Sequence, residues 1–376
     1  MTITISSHFD GGNIEVLGAE GAAIRLAIRG DVGGEHYQWF YFRLSGGRGV
    51  ASELHLSNAG GASFTDGWVG YQAVASYDRR RWFRVPTRYA DGCLTIAHTP
   101  TEDSIYYAYF APYSLERHAD LVARSLVSPL VRHELLGSSV DGRDLDLLIV
   151  GEPAAGKQVA WIIGRQHPGE TMAEWLIEGL LERLIDPEDP VSRALLSRLV
   201  FYVVPNMNPD GSARGHLRCN AVGANLNREW LAPTKERSPE VLCTRARMAA
   251  TGVDFFLDVH GDEGLPYNFI AGADGVPSLT PRVVALQAEY EAALRAASPD
   301  FQSAHGYEAA PPGQANMTMA TNYVAEAHGC LSMTLEQPFK DNADAPLPEV
   351  GWSPERARKL GRANLDALLA VAGRLR

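Results

Sequence analysis

Three apolar runs in this chain each end in residues suited to chemistry. VAWIIGRQHPGE carries His167 and Glu170, VDFFLDVHGDE carries His260, and LSMTLEQP carries Glu336. Each run reads as a buried strand, and in α/β sheets ligands bind outside the carboxyl ends of the strands. A lone histidine at a strand end is usually a satisfied structural residue. Three strands bringing two histidines and two glutamates to one rim make that reading much weaker. Two imidazoles and one carboxylate suit a catalytic zinc that keeps its fourth position for water. The Pro168-Gly169 step can fold Glu170 back beside His167, so both reach one ion. Such a zinc lowers the pKa of its water and polarises a carbonyl. Glu336 is then the remaining carboxylate, free to take a proton and pass it to a leaving amine.

A polar segment, NPDGSARGHLRCNAVGANLNREW at 208–230, follows the strand that ends at Pro205 and so begins at the same rim. It offers Arg214, Arg218 and Arg228, with Asn225 and Asn227. Arginine grips a carboxylate through two parallel bonds, which suits it to an anionic substrate. The plain alternative is a solvated loop with incidental arginines; its place at the rim favours function.

The elements that must position these residues fall into two groups. Residues 1–125 carry short aromatic or alternating runs, HYQWFYFRL, RRWFRVPTRYA, CLTIAH and SIYYAYFAPYS, separated by Gly-rich turns. This pattern predicts a small antiparallel β-sandwich domain. Residues 126–376 alternate strands (145–151, 159–164, 199–205, 253–260, 331–336) with helices (171–185, 238–252, 281–297, 354–375), which predicts an α/β domain with a parallel or mixed sheet. The helix at 171–185 reads as amphipathic, with Met172, Trp175, Leu176, Gly179, Leu180 and Leu184 on one stripe. Ser238 reads as a helix N-cap ahead of Pro239. GEPAAGKQ at 151–158 comes close to a phosphate-binding loop but has Gln158 where Ser or Thr is needed, and a strand follows instead of a helix. It reads as a hairpin turn.

Composition excludes several classes. The 376 residues carry 34 Lys and Arg against 45 Asp and Glu, a net charge of −11, which disfavours a nucleic-acid partner. The four scattered cysteines read as reduced thiols. No secretory signal and no membrane-length apolar run is visible, so a cytoplasmic protein without a membrane partner is expected.

HPGE, the loop ending NLNREW, FLDVHGDE and TLEQP together resemble the M14 zinc carboxypeptidases. WFYFRL and AYFAPYS ahead of the segment at 137–148 resemble, more narrowly, the cytosolic carboxypeptidase subfamily. The resemblance spans nearly the whole chain. It implies an α/β/α sandwich with a mixed sheet, one zinc per chain held by His167, Glu170 and His260, and Glu336 as general base and acid. It implies that Asn227 and Arg228 hold the substrate's terminal carboxylate and that Arg218 stabilises the oxyanion. The expected function is hydrolysis of the C-terminal bond of peptides or protein tails.

Two features depart from that pattern. The family's mobile tyrosine could be Tyr307 or Tyr323. The stretch 311–336 has no Lys or Arg to receive a terminal glutamate, unless an arginine from elsewhere or Lys340 takes that part. Two other functions compete. One is a zinc amidohydrolase of the same fold acting on N-acyl amino acids or cell-wall peptides; the other is a non-catalytic peptide-binding protein. The retained Glu336 disfavours the second, and the Asn227-Arg228 pair disfavours the first. His36, His55, His98 and His118 read as structural, and the aromatic residues of 37–42 and 106–113 as sandwich core.

Overall fold

The computed structural model describes residues 3–375. Met1, Thr2 and Arg376, the extreme ends of the two expected domains, lie outside the described residues. Strands and helices are numbered in chain order.

The first ten strands form two sheets. One has the order β1 (Thr4–Ser6), β4 (Tyr41–Ser45), β10 (Ser104–Ala108), β6 (Val74–Ser76) and β7 (Phe83–Arg84), all antiparallel. The other has the order β2 (Glu15–Glu20), β3 (Ala23–Ala27), β5 (Ser52–Leu56), β9 (Cys93–His98) and β8 (Thr87–Ala90). Its β3–β5 pair is parallel and the rest are antiparallel. Residue alternation buries Leu54 and Leu56 from β5 with Leu94 and Ile96 from β9, as the aromatic and β-branched composition predicts.

Seven strands form the third sheet, in the order β11 (Val131–Ser138), β12 (Asp144–Val150), β14 (Leu199–Val204), β13 (Gln158–Gly164), β15 (Phe255–Val259), β17 (Leu331–Glu336) and β16 (Phe269–Ala271). The four central strands β14, β13, β15 and β17 are parallel and the outer pairings antiparallel. The sheet is therefore mixed. Along β13, Ala160 and Ile162 join the core that holds α2 (Met172–Leu184), α6 (Pro281–Ala297) and α8 (Pro354–Val371). Trp161 and Ile163 join the opposite core, with α5 (Pro239–Thr251) and α7 (Ala320–His328). Both faces are covered, which is why the central strands read as unbroken apolar runs.

Three expectations change. The 151–158 segment is no hairpin: β14 lies between β12 and β13, so this turn carries the chain across an intervening strand. The buried run LVFYVV fits that central place better than an edge. Helix α2 is not amphipathic in use, because Glu174 and Glu178 are as buried as its leucines. Their charges are met by Arg165 and His118 at Glu174 and by a two-bond grip from Arg117 on Glu178. Ser238 stands at the N-cap of α5, but its side chain bonds Glu229 instead of a helix N–H.

Helix α1 (Leu115–Leu126) joins the two-sheet unit to the third sheet. Its buried His118 bonds Glu174 through Nδ1 at 2.8 Å and Asp146 through Nε2 at 2.9 Å. His133 adds a 2.6 Å bond to Asp146. Burial alone would lower the pKa of His118; the bonds to Asp146 and Glu174 override it and push the pKa up to about 9. A folded-state value above the unfolded one stabilises the native state in full below the unfolded pKa, roughly 6.5, and the gain is lost as pH rises through the folded value. Thermal unfolding should therefore show stability falling between about pH 6.5 and pH 9, by on the order of 3 kcal/mol at most. His118→Gln should flatten that slope.

Candidate active site

Strands β13, β15 and β17 are adjacent, parallel and in register, so their carboxyl ends share one rim. His167 and Glu170 follow β13, His260 follows β15, and Glu336 ends β17. The loop after β13 turns sharply: Arg165 adopts a left-handed backbone (φ 56°), rare for a side-chain-bearing residue. Its buried guanidinium donates to the carbonyls of Pro168 (3.0 Å) and Tyr113 (2.7 Å) and pairs with Glu174. The two carbonyl bonds and the ion pair compensate that strain and fix the Pro168-Gly169 bend.

The bend sets Glu170 between the two histidines. Its Oε1 lies 2.6 Å from His167 Nδ1 and its Oε2 lies 2.7 Å from His260 Nδ1. All three residues are buried, and one ligand atom from each lies within 4.8 Å of the others. The remaining ring nitrogens are held from outside: His167 Nε2 meets Asn225 Oδ1 at 3.0 Å, and His260 Nε2 meets Asp258 Oδ2 at 2.9 Å. Asp258 is steadied by Gln166 Nε2 at 2.6 Å, and Gln166 by Trp230 Nε1 at 2.7 Å. Outer partners that orient each imidazole and leave Nδ1 facing inward are what a metal site requires. The donor set, two imidazoles and a carboxylate, fits zinc.

The electrostatics reflect this crowding. Burial would raise Glu170, but His167 and His260 hold it well below the usual carboxylate range. Burial and the nearby Arg218 lower His167 to about 3. His260 lies between Asp258 and Glu170, whose charges outweigh burial and raise its pKa. Glu336 is pushed up to about 8, chiefly by burial, and its Oε2 has no hydrogen-bond partner among the described residues.

A cavity of about 680 Å³ opens over these groups. Arg218, Arg228, Asn227 and Tyr307 line it with His167, Glu170, His260 and Glu336. Asn227 is buried, and its Oδ1 accepts from the Ala320 N–H at the start of α7 (2.8 Å). Arg228 is exposed to the cavity and donates to its neighbour's carbonyl, that of Asn227, at 2.7 Å. Neither Arg218 nor Arg228 has an ion pair among the described residues. Of the two candidate tyrosines, Tyr307 is in the cavity, with its hydroxyl 2.6 Å from Asp262 Oδ2 and 3.3 Å from Glu336 Oε1. Tyr323 is elsewhere, stacked under the Arg245 guanidinium. Arg214 pairs with Asp141 outside the cavity.

A second cavity of about 330 Å³ shares Asn227, Tyr307, Met319 and Glu336 with the first. Its deeper wall includes the Thr321–Thr334 hydroxyl pair at 2.7 Å. Asp274 and Glu308 also line it, and no Lys or Arg does among the described residues. Lys340 is turned away, donating to the carbonyls of Asp66 and Gly264. Sequence reasoning missed Asp258, Gln166 and Glu263. Glu263 is a buried cavity carboxylate whose pKa is raised well above normal by burial and then by Glu170. Only its place in HGDE, three residues past His260, could have pointed to it.

The three-layer fold and the His-Glu-His cluster define a metal-dependent hydrolase, and comparison with known proteins narrows the class. The model of the cytosolic carboxypeptidase N-terminal domain matches residues 5–110, and that of the zinc carboxypeptidase family matches residues 120–356. The chain belongs to the M14 zinc carboxypeptidase family and is a zinc metallocarboxypeptidase. It is similar to a metallo-carboxypeptidase from Burkholderia cenocepacia, at 50% identity and TM-score 0.96, covering 98% of each chain. It is also similar to a metallo-carboxypeptidase from Pseudomonas aeruginosa solved with (2-guanidinoethylmercapto)succinic acid, at 46% identity and TM-score 0.97, covering 99% of this chain and 100% of that one. Mouse cytosolic carboxypeptidase 6 is 32% identical over 53% of this chain, which spans 41% of that longer protein.

Metal analysis should find about one zinc per chain. His260→Ala should strip it and leave the sheets folded by circular dichroism. Glu336→Gln should keep it. Stoichiometric zinc in the His260 variant would show the ligand set to be misassigned.

Proposed function

We propose that this enzyme removes the C-terminal residue from peptides or protein tails in the cytoplasm. In this reading His167, Glu170 and His260 hold zinc, which supplies Lewis-acid charge and a more acidic water when bound. Arg228, with Asn227 Nδ2 beside it, grips the terminal carboxylate. Arg218 faces the scissile carbonyl and stabilises the charge that develops on its oxygen. Glu336 takes a proton on Oε2, its unpartnered oxygen, and delivers it to the departing amine. A pKa raised by burial suits a group that must both accept and return a proton near neutrality. Tyr307, tied to Asp262 and close to Glu336, is placed to close over a bound residue. Functionally, residues 1–125 form the sandwich unit and 126–376 the catalytic unit, with α1 as the joint.

The observation that carries this reading is Arg228, a guanidinium without an ion-pair partner among the described residues, in the same cavity as the His-Glu-His cluster and Glu336. An amidohydrolase cutting an amide with no free carboxylate beside it needs no such clamp, and a binding module needs no general base. Amidating a peptide's C-terminus should abolish cleavage, and blocking its N-terminus should matter little. Arg228→Ala should narrow the gap between acid and amide peptides, while Glu336→Gln should lower turnover of both by at least roughly 100-fold. Equal cleavage of acid and amide peptides by the unaltered enzyme would defeat the carboxypeptidase reading in favour of the amidohydrolase one.

The second cavity receives the terminal side chain. With Asp274, Glu308 and Glu336 on its wall and no Lys or Arg among the described lining residues, it disfavours glutamate and accepts neutral polar or basic side chains. The Pseudomonas relative's ligand joins a guanidine to a dicarboxylic acid, chemistry that fits an arginine clamp beside an acidic pocket. Across peptides differing only in the last residue, kcat/KM for terminal Lys or Gln should exceed that for Glu by roughly 10-fold or more. A preference for Glu would refute this account of the pocket.

A further inference from the structure

A buried carboxylate of the two-sheet N-terminal unit crosses to the active site. Asp31 sits in a tight turn, where its carbonyl accepts from the Gly34 N–H at 2.8 Å and its own N–H donates to the His36 carbonyl at 2.8 Å. Its side chain is buried, at 4% exposure, and crosses to the catalytic unit. There Oδ1 accepts from the Leu217 N–H at 2.7 Å, and Oδ2 from the N–H groups of Arg218 and Cys219, each at 2.8 Å. Three consecutive backbone donors converge on one carboxylate, an arrangement that fixes a peptide segment as a unit. The middle residue of that segment is Arg218.

The contact is close on both sides. Gly223 has φ 81°, and a Cβ there would lie 2.8 Å from the Val32 carbonyl oxygen. The Leu217 carbonyl in turn accepts from the Gly169 N–H at 2.9 Å, within the loop that carries His167 and Glu170. The Arg218 guanidinium lies over the Phe64 ring of the N-terminal unit, 5.5 Å from its centroid. Phe64 is itself fixed at both backbone groups by the buried Gln38, at 2.8 and 3.0 Å. The catalytic unit offers Arg218 no ion pair among the described residues. Its backbone anchor and its aromatic support both come from the N-terminal unit.

We infer that the N-terminal unit is part of the catalytic apparatus: Asp31 is a positioning residue that fixes the 217–219 backbone, and with Phe64 it aims Arg218 at the scissile carbonyl. This rests on the role proposed for Arg218 above. A preorganised oxyanion donor helps only if it is already in place when charge develops. A mobile 217–219 segment would bind substrate through Arg228 as before and turn it over more slowly.

The test is a double-mutant cycle on the full-length zinc enzyme, with kcat, KM, zinc content and thermal midpoint recorded for each variant against one free-acid peptide. Arg218→Ala should lower kcat by roughly 100-fold or more. Asp31→Asn keeps the shape but loses the charge and one acceptor. It should lower kcat by roughly 10-fold with KM little changed and zinc stoichiometric, and this loss should vanish in the Arg218→Ala background. An equal fold-loss in both backgrounds, an unchanged kcat, or a zinc loss that accounts for the lost activity overturns the inference. If Asp31→Asn does not fold, Phe64→Leu takes its place: a several-fold loss of kcat confined to the Arg218 background supports the inference, and no loss overturns it. If Arg218→Ala itself turns over normally, the reading of Arg218 has failed. If only Asp31→Asn and Phe64→Leu do so, the positioning alone has failed.

Discussion

Glu170 is a carboxylate almost sealed from water, with each oxygen bonded to an imidazole, and much of the molecule serves to make that possible. An unpaired buried charge would cost several kcal/mol. The compensation begins with two histidines on adjacent parallel strands, continues to Asp258 and Asn225 behind them, and extends to Gln166 and Trp230. The bend that places Glu170 is itself strained at Arg165, which is tied to Glu174 and through it to His118 on α1. A network of buried charges thus runs from the metal-type cluster to the helix that joins the two halves of the chain. A polar network of this kind loses stability wherever a partner is removed, because the group left behind is buried and unpaired.

The strand ends were legible in sequence because a central parallel strand must be apolar on both faces, so the polar residue that ends it stands out. HPGE, DVH and TLE all follow that rule, and the structure brings their residues to one rim. Helix α7 and the short strand β16 were not legible. Each is brief, lacks a strong apolar period and is held by tertiary contacts, such as Asn227 capping the Ala320 N–H. The amphipathic reading of α2 misled for a related reason: Glu174 and Glu178 lie off its apolar stripe, and only long-range partners make their burial tolerable. Asp31 was beyond sequence reasoning altogether, since nothing local ties it to residues almost two hundred positions away.

In the proposed reaction, charge is what lets the cavity distinguish a chain end from a chain interior. Arg183, Arg356 and Arg358 each face carboxylates in the structure, as buried or half-buried guanidinium groups generally must. Arg218 and Arg228 do not. Burial and the mutual repulsion of these two cations hold Arg228 below the ordinary arginine value, so the pair is poised to gain from an incoming anion. On the other side, Asp262 and Glu263 set carboxyl groups near the base Glu336 and Tyr307. A free α-carboxylate entering on the arginine side completes a pairing that the protein leaves open. An internal peptide bond would desolvate the same cations and return nothing. Directional cleavage in the proposed reaction therefore needs no separate recognition module, because an incomplete charge balance in the cavity is itself the measure of where a chain ends.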